Sequence, residues 1–545
     1  MSIECYPITI LPHVSQLYRD FLAMAESPAD APVRRWYGAE PFAGKWMGND
    51  AVKIADPSRL ARLADALKKQ SLEFGAGAAA LTNIEKLRAG ARAVVTGQQV
   101  GLLGGPLLTL LKAATAVARA KQATKATGVD HVPVFWLATE DHDLAEVDQV
   151  SLLTKDSVET LRAGLKVAGT VPVGGVEIGP EIEAVLAQAE ELLGYGPVGE
   201  LLRECYAPRD GYQPTLGGAF ARLMTKIFAE QGLIVLDAAG REFHALGEST
   251  LRYAIEHAAE LEEGLLARTR ELEAAGYHAQ VLVVAGHSLL FLVDGVTGDR
   301  SALRRLPDGV WKAGGKTYAT ADLLGILSTE PERISPNALL RPVFQDTILP
   351  TAAYIGGPAE VAYFAQSAVA YQAILGRITP ALSRLSATLV EPAIATVMER
   401  HEVTLPDVMT TAEELGQRLG ARAMPIAGKR KLAAVGNAMD AELTALTEYM
   451  SAMDENLGRA ATVSGNKMRY QMNRLRRVAA TFELQKEASL KKHAATLTLH
   501  LFPEGHPQER LLAGVWFLGR YGEGLVERMV AAAENICPGH VVVRL

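Results

Sequence analysis

Apolar and polar positions alternate in two rhythms along this chain. Residues 1 to about 90 read as mostly helical, with Asp56-Pro57-Ser58 ahead of a helical stretch from Arg59 to Gln70. Ala93-Val94-Val95-Thr96 then reads as a short buried strand, and Gly104-Gly105-Pro106 opens an apolar helix over Leu107 to Lys121. Val132 to Ala138 is a second apolar strand. Strand, helix, strand at this spacing is the rhythm of a parallel sheet. Gly232 to Asp237 is a further buried strand, and Val281 to Val293 supplies one or two more. Residues 150–225 and 295–335 are richer in Gly, Pro and charge and read as an insertion or a smaller subdomain.

Beyond about residue 392 the period changes. Leu443, Leu446, Met450, Met453 and Leu457 repeat at 3,4 spacing, and Met468, Met472, Leu475, Ala479 and Phe482 resume it after Ser464-Gly465-Asn466. That is a heptad pattern. The first arm carries Asp440, Glu442, Glu448, Asp454 and Glu455, and the second carries Lys467, Arg469, Arg474, Arg476, Arg477, Lys491 and Lys492. Opposite charge predicts an antiparallel hairpin turning near Gly465. The segments Val515–Leu518 and Val541–Val543 are apolar enough to return to the core.

Length and composition narrow the class. At roughly 100–200 residues per domain, 545 residues allow two to four domains. Hydrophobic residues at 49% and charged residues at 21% exclude a disordered chain. A formal net charge of −7 argues against a general nucleic-acid binder, which needs basic surface, and aromatics for base stacking are sparse on the basic arm. Cys5, Cys205 and Cys537 lie far apart and odd in number, so no disulfide framework is expected, and without Cys-x-x-Cys no thiolate zinc site. His401-Glu402 lacks the second histidine of a zincin, since position 405 is Leu405. Met1 to Cys5 shows no signal-peptide pattern, and the 13-residue run Val281–Val293 is too short to span a bilayer. A soluble, cytoplasmic protein without membrane contact is expected.

Four segments carry candidate chemistry. Gly97-Gln98-Gln99-Val100-Gly101 through Gly105-Pro106 is a glycine-rich turn between strand and helix, where backbone N–H groups and the helix dipole favour an anion. Thr109 and Lys112 share one helix face, so Lys112 can reach back toward that anion. The turn is neither a Walker A nor a dinucleotide fingerprint, so neither NAD nor flavin is expected. A glycine-packed crossover is the structural alternative. Tyr354-Ile355-Gly356-Gly357-Pro358-Ala359-Glu360 repeats the device, with Glu360 near the third helical position. Thr139-Glu140-Asp141-His142-Asp143 follows a core strand, where open parallel sheets bind ligands. Its crowded acids call for a cation, an ammonium group or Mg²⁺ at Asp141 and Asp143, with His142 as a general base, unless they simply begin a helix. Arg341, beside Pro342, suits a carboxylate or phosphate clamp or a structural salt bridge.

Taken in order, these segments resemble one known family. Thr96-Gly97-Gln98-Gln99 with Gly101, Gly105-Pro106 and Lys112-Ala113 is one block, and Pro133-Val134-Phe135-Trp136 with Glu140-Asp141-His142-Asp143 is the next. Leu340-Arg341-Pro342 with Gln345-Asp346 and Leu349-Pro350 follows, then Tyr354-Ile355-Gly356-Gly357-Pro358 with Glu360 and Ala362-Tyr363. Arg377 to Ser386 and Leu501-Phe502-Pro503 with Gln508-Glu509-Arg510 complete the set. Their order and spacing resemble the bacillithiol-biosynthesis cysteine-adding enzyme family (BshC). Ser288 departs from it, standing where an Asn is expected.

The resemblance implies an α/β fold: a Rossmann-like parallel-sheet core resembling class I nucleotidyltransferases, a small connecting subdomain and a C-terminal α-helical coiled coil. The implied division is 1–150 and 231–391 for the core, 151–230 for the connecting subdomain, 392–500 for the arm and 501–545 for a segment returning to the core. It implies a ligase that joins L-cysteine to the amine of glucosaminyl-malate, and a homodimer through the coiled coil. Activation by ATP or another nucleotide with Mg²⁺ is the obvious route, because a free carboxylate does not acylate an amine readily in water. The residues that would act are Lys112, Asp141, His142 and Asp143. Those that would bind substrate or nucleotide are Thr96, Gly97, Gln98, Gln99, Gly101, Gly105, Glu140, Arg341, Gln345, Asp346, Gly356 and Gly357. A related ligase acting on another amine and acid, or a non-catalytic coiled-coil scaffold, would share these features.

Overall fold

Strand and helix alternate from Arg92 onward in the computed structural model, which describes residues 4–25, 32–38, 42, 44–48, 56–522 and 524–545. The reading of Met1–Ile3, and parts of the helical expectation before residue 56, lie outside the described residues. Strand β1 (Arg92–Gln98) leads through helix α1 (Leu108–Thr127) to β2 (His131–Leu137). A short helix, α2 (Leu144–Val147), precedes an antiparallel hairpin of β3 (Gln149–Leu153) and β4 (Val158–Arg162). β5 (Ile234–Asp237) runs into α3 (Arg241–Glu256). Then come α4 (Arg341–Ile348), β6 (Thr351–Gly356), α5 (Pro358–Leu375) and β7 (Ala381–Ser383).

Five of these strands form one parallel sheet in the order β7-β6-β1-β2-β5. All residues of β2 and β6 are buried, as expected for strands covered on both faces. The chain builds outward from β1 through β2 to β5, then returns to the other side of β1 for β6 and β7. The strand order therefore reverses between β1 and β6, and ligands of open parallel sheets bind at the carboxyl ends of the strands flanking such a reversal. Thr96 bridges that seam from within, its hydroxyl donating to the Ile355 carbonyl at 2.9 Å. The parallel sheet and the long paired helices bear out the expected fold class.

Several details depart from the sequence expectations. The helix after the glycine turn starts at Leu108, so Pro106 precedes it, and it runs past Lys121 to Thr127. The Leu107 amide donates to the Leu512 carbonyl at 2.7 Å, which ties the start of the helix to the C-terminal segment. Val281–Val293 adds no strand to the parallel sheet. His287–Val293 joins an antiparallel sheet with Arg300–Arg305, Trp311–Ala313, Lys316–Tyr318 and Ile334–Pro336, and its half-buried pattern suits a sheet with one wet face. Cys5 and Cys537, expected to be unpaired, form a disulfide with Cα atoms 6.0 Å apart. Pairing of Glu4–Pro7 with Gly539–Arg544 brings these distant positions together, which sequence distance could not show.

Residues 1–388 and 509–543 make one unit, and residues 389–508 make another. In the second, α6 (Ile426–Met453) and α7 (Glu455–Lys486) run antiparallel: Gly458 lies against Ser451, Gly465 against Leu443 and Gly436 against Arg476. Arg469 pairs with Asp440 at 2.8 Å, an instance of the expected acidic-to-basic match. The turn lies at Asp454 rather than near Gly465. Asp454 accepts from the Asn456 and Leu457 amides and so caps α7, whereas Gly465 sits inside that helix, giving Leu443 room to approach. Among the described residues no helix is long and apolar enough to cross a membrane.

Candidate functional site

β1 ends in Gly97, where close approach excludes a side chain: a Cβ there would stand 2.7 Å from the Trp136 carbonyl oxygen. The turn beyond it is strained, with positive φ at Leu103 (48°), Gly104 (89°) and Gly105 (67°). Part of the expected cradle of amides is already engaged within the protein. Gly101, Gly104 and Gly105 donate to Gln99, Gly101 and Leu102, and Leu107 to Leu512. The loop closes on its own carbonyls because tight turning brings each within reach.

Lys112 has a different task from the one expected. Its ammonium, buried in α1, donates to the Gly97 carbonyl at 2.6 Å and to Gln98 Oε1 at 2.9 Å, and forms an ion pair with Glu360. Three donors meet three acceptors, which saturates it. Glu360 also accepts from the Gly357 amide at 2.8 Å and the Tyr354 hydroxyl at 2.5 Å. Burial pushes the Glu360 carboxyl up, but Lys112 and these donors outweigh it and hold the group below its ordinary value. Lys112 thus pins the first glycine turn to the second, across the seam between β1 and β6.

Arg341 begins α4 and gives its guanidinium to the hydroxyls of Tyr354 (3.2 Å) and Tyr363 (3.0 Å) and to Gln345 Oε1 (3.3 Å). These partners are neutral, so its charge is oriented but not cancelled. Gln345 passes its amide to Asp346, which also takes the Tyr371 hydroxyl at 2.8 Å; both lie behind the wall as support for α4. Arg384 is buried in a bidentate pair with Glu509 (2.8 and 2.7 Å), whose carboxylate also accepts from Ser386 Oγ and the Ala387 amide.

The acidic run after β2 is divided among several protein partners. Glu140 meets His244 Nε2 at 2.9 Å, while His244 Nδ1 faces the Pro331 carbonyl. Both ring nitrogens of this buried histidine face oxygen atoms able to accept, an arrangement that favours its charged form. Burial pushes its pKa down, but Glu140 outweighs that and leaves it raised. Asp141 accepts from Gln99 Nε2 at 2.9 Å, and the same amide reaches Glu146 at 2.8 Å. Asp143 caps α2 by accepting from the Glu146 amide. His142 faces Arg300, whose guanidinium is stacked 3.7 Å over Phe291. The crowding that pointed to an external cation is therefore relieved by His244, Gln99, Arg300 and a helix N-terminus. Among the described residues no group of three or more His, Cys, Asp or Glu is arranged to hold a metal ion. Ser288 uses its hydroxyl on the Leu303 carbonyl, away from this region.

A cavity of about 570 Å³ opens at the carboxyl ends of β1 and β6, where the strand order reverses. Gly97, Gln98, Gln99, Asp141, Arg341 and Gly357 all line it, so four separate sequence segments converge there. Lys112 reaches its floor. Thr96, Glu140, His142, Asp143, Gln345 and Asp346 lie outside its lining, as do Gly105 and Gly356, which shape the turns. Sequence reasoning gave no role to the wall residues Trp136, Glu146, Tyr354, Tyr363, Arg384 and Arg510. Trp136 was legible as the end of a strand, while Arg510 entered only through the family blocks. A second lobe of about 300 Å³ shares Gln98, Gln99, Pro106, Glu146 and Arg510 with the first and extends, past Gly101, along the β3–β4 hairpin.

Comparison with known proteins agrees with this architecture. Residues 1–385 match the family described as "Bacillithiol biosynthesis BshC, N-terminal Rossmann-like domain", and residues 387–545 match "Bacillithiol biosynthesis BshC, C-terminal coiled-coil domain". A protein of Koribacter versatilis named "Putative cysteine ligase BshC" is 40% identical over 546 residues, covering 100% of both chains. Proteins of the same name from Solibacter usitatus and Chlorobaculum tepidum are 34% and 32% identical, covering 99% of both chains in the first case and 89% and 88% in the second. Family matches over residues 1–385 and 387–545, with a relative 40% identical over the whole length of both chains, place this chain in the BshC family of bacillithiol biosynthesis.

Proposed function

We propose that this chain is a ligase that joins the carboxyl of L-cysteine to the amine of glucosaminyl-malate through an amide bond, completing bacillithiol. The observation that carries the reading is the cavity itself, with Asp141 and Glu146 on one wall and Arg341 on another. Both substrates bear an amine and at least one carboxylate, so a site that offers both signs of charge can align them. Asp141 and Glu146 hold the ammonium end, and Arg341 holds a carboxylate with its neutrally partnered guanidinium. Lys112 keeps the two glycine turns together, and His142, off the wall, takes no direct part.

A nucleoside triphosphate, when bound, supplies the leaving group that a free carboxylate lacks. Asp141 and Glu146 fit Mg²⁺ only in company with phosphates, since Mg²⁺ takes one or two protein carboxylates in such sites. The test is incubation of the purified chain with glucosaminyl-malate, cysteine and ATP, followed by mass analysis. Bacillithiol is the expected product, and its absence with every nucleotide tried overturns the assignment. We assign the arm to homodimer formation, supported by Leu446, Leu475 and Phe482, which are 52%, 59% and 63% exposed. Light scattering should give twice the chain mass, and Leu446→Glu should lower it. A cytoplasmic setting suits such a ligase and predicts that Cys5 and Cys537 are reduced in the cell, which rapid thiol labelling on lysis reads directly.

A further inference from the structure

The second lobe has no part in the reading above, yet it is walled by a built surface. The Ala513 amide donates to the Ser151 carbonyl at 2.8 Å, and Trp516 Nε1 donates to the Leu153 carbonyl at 3.0 Å. These bonds stitch the β3–β4 hairpin to the segment that carries Arg510. Arg162, at the end of β4, and Arg510 both line the lobe. Among the described residues neither guanidinium has a hydrogen-bond or ion-pair partner, although both lie within reach of a concave wall. The one acid there, Glu146, already accepts from Gln99. Ser151 and Thr160 share one hydrogen bond of 2.9 Å, which leaves one hydroxyl hydrogen to donate. The lobe thus offers two free cations and a spare donor against one engaged carboxylate.

We infer that this lobe is a second subsite that receives a polyanionic group, carboxylate or phosphate, through Arg162 and Arg510. The inference rests on the ligase reading for its purpose: the shared Gln98–Gln99 wall would set its ligand beside the reactants in the first lobe. Two guanidinium forks match the oxygens of a dicarboxylate or of linked phosphates. The ligand is anchored at the rim while its other end reaches past Pro106 toward Arg341 and Asp141.

The test reads binding without turnover. Wild type, Arg162→Ala and Arg510→Ala are titrated calorimetrically with L-malate and, separately, with inorganic pyrophosphate. Wild type should bind at least one probe, and each substitution should weaken that binding by about tenfold with no change in unfolding midpoint. Malate alone would identify carboxylates as the ligand, and pyrophosphate alone would identify nucleotide phosphates; either outcome supports the subsite. No binding of either probe to wild type, or equal binding by all three proteins, overturns it. Arginine-dependent binding beside a failed ligase assay would remove the proposed reaction and leave the subsite. An active ligase with arginine-independent binding would do the reverse.

Discussion

The two lobes of the cleft hold their charges in opposite ways. In the larger lobe Lys112 is 2% exposed and bound to Glu360, and Arg384 is 5% exposed and bound to Glu509. Arg162, in the smaller lobe, and Arg510, which lines both, are exposed and, among the described residues, have no hydrogen-bond or ion-pair partner. Burial explains the contrast. A charge taken out of water costs several kcal/mol unless a partner restores what solvation provided, so buried cations are bound to their own protein. Exposed cations keep their hydration and remain available to a ligand. The most conspicuous charges in an apolar helix are thus the ones already engaged, and the available ones look ordinary.

Breaking the inner pairs should have the largest effect. Arg384→Met leaves Glu509 buried with only neutral donors and should lower unfolding free energy by about 3–5 kcal/mol in urea titration. Glu509→Gln should cost a comparable amount, since it leaves the Arg384 charge buried without a carboxylate. Lys112→Met should follow at about 3 kcal/mol, and its combination with Glu360→Gln should cost less than the sum of the two, with a coupling of roughly 0.5–3 kcal/mol. Additive losses would show that the two turns are not pinned through this pair.

Acid should distinguish the lobes next. Burial pulls the His540 pKa from 6.5 to about 4, and Arg384 holds Glu509 at about 2 against burial. The folded state keeps His540 neutral while the unfolded chain takes a proton, so stability falls as pH drops from about 6.5 to about 4. That loss is at most about 3 kcal/mol. The Glu509 contribution is present above its unfolded value of 4.5 and is lost as pH falls through about 2. Unfolding measured across this window should slope in wild type and flatten between 6.5 and 4 in His540→Asn. Arg162→Ala and Arg510→Ala should change stability least, within about 0.5 kcal/mol. A larger loss would mean that the outer arginines are structural after all.

The glycine turns show how much of the site could be read in advance. Their strand-to-helix setting was legible, because Gly-Gly-Pro between an apolar strand and a helix has few other uses. The direction of Lys112 was not, since its partners, Gly97, Gln98 and Glu360, come from both turns. The acidic run was legible as a place but not as a set of roles. Glu140 and Asp143 are taken by His244 and by a helix end, and only Asp141 of the four faces the cavity. His244 gave no local signal, because a lone histidine in an amphipathic helix reads as ordinary core.

By itself, the order of apolar segments determined the parallel sheet and the antiparallel arm, because hydrophobic periodicity is carried by nearby residues, whereas the convergence of Gly97, Asp141 and Arg341 had to wait for the fold. Only the tertiary structure decided the turn at Asp454, the union of Cys5 with Cys537, and which charges face a ligand. Those depend on partners tens to hundreds of residues away, and whether a charge is paired is a property of what surrounds it rather than of its neighbours in the chain.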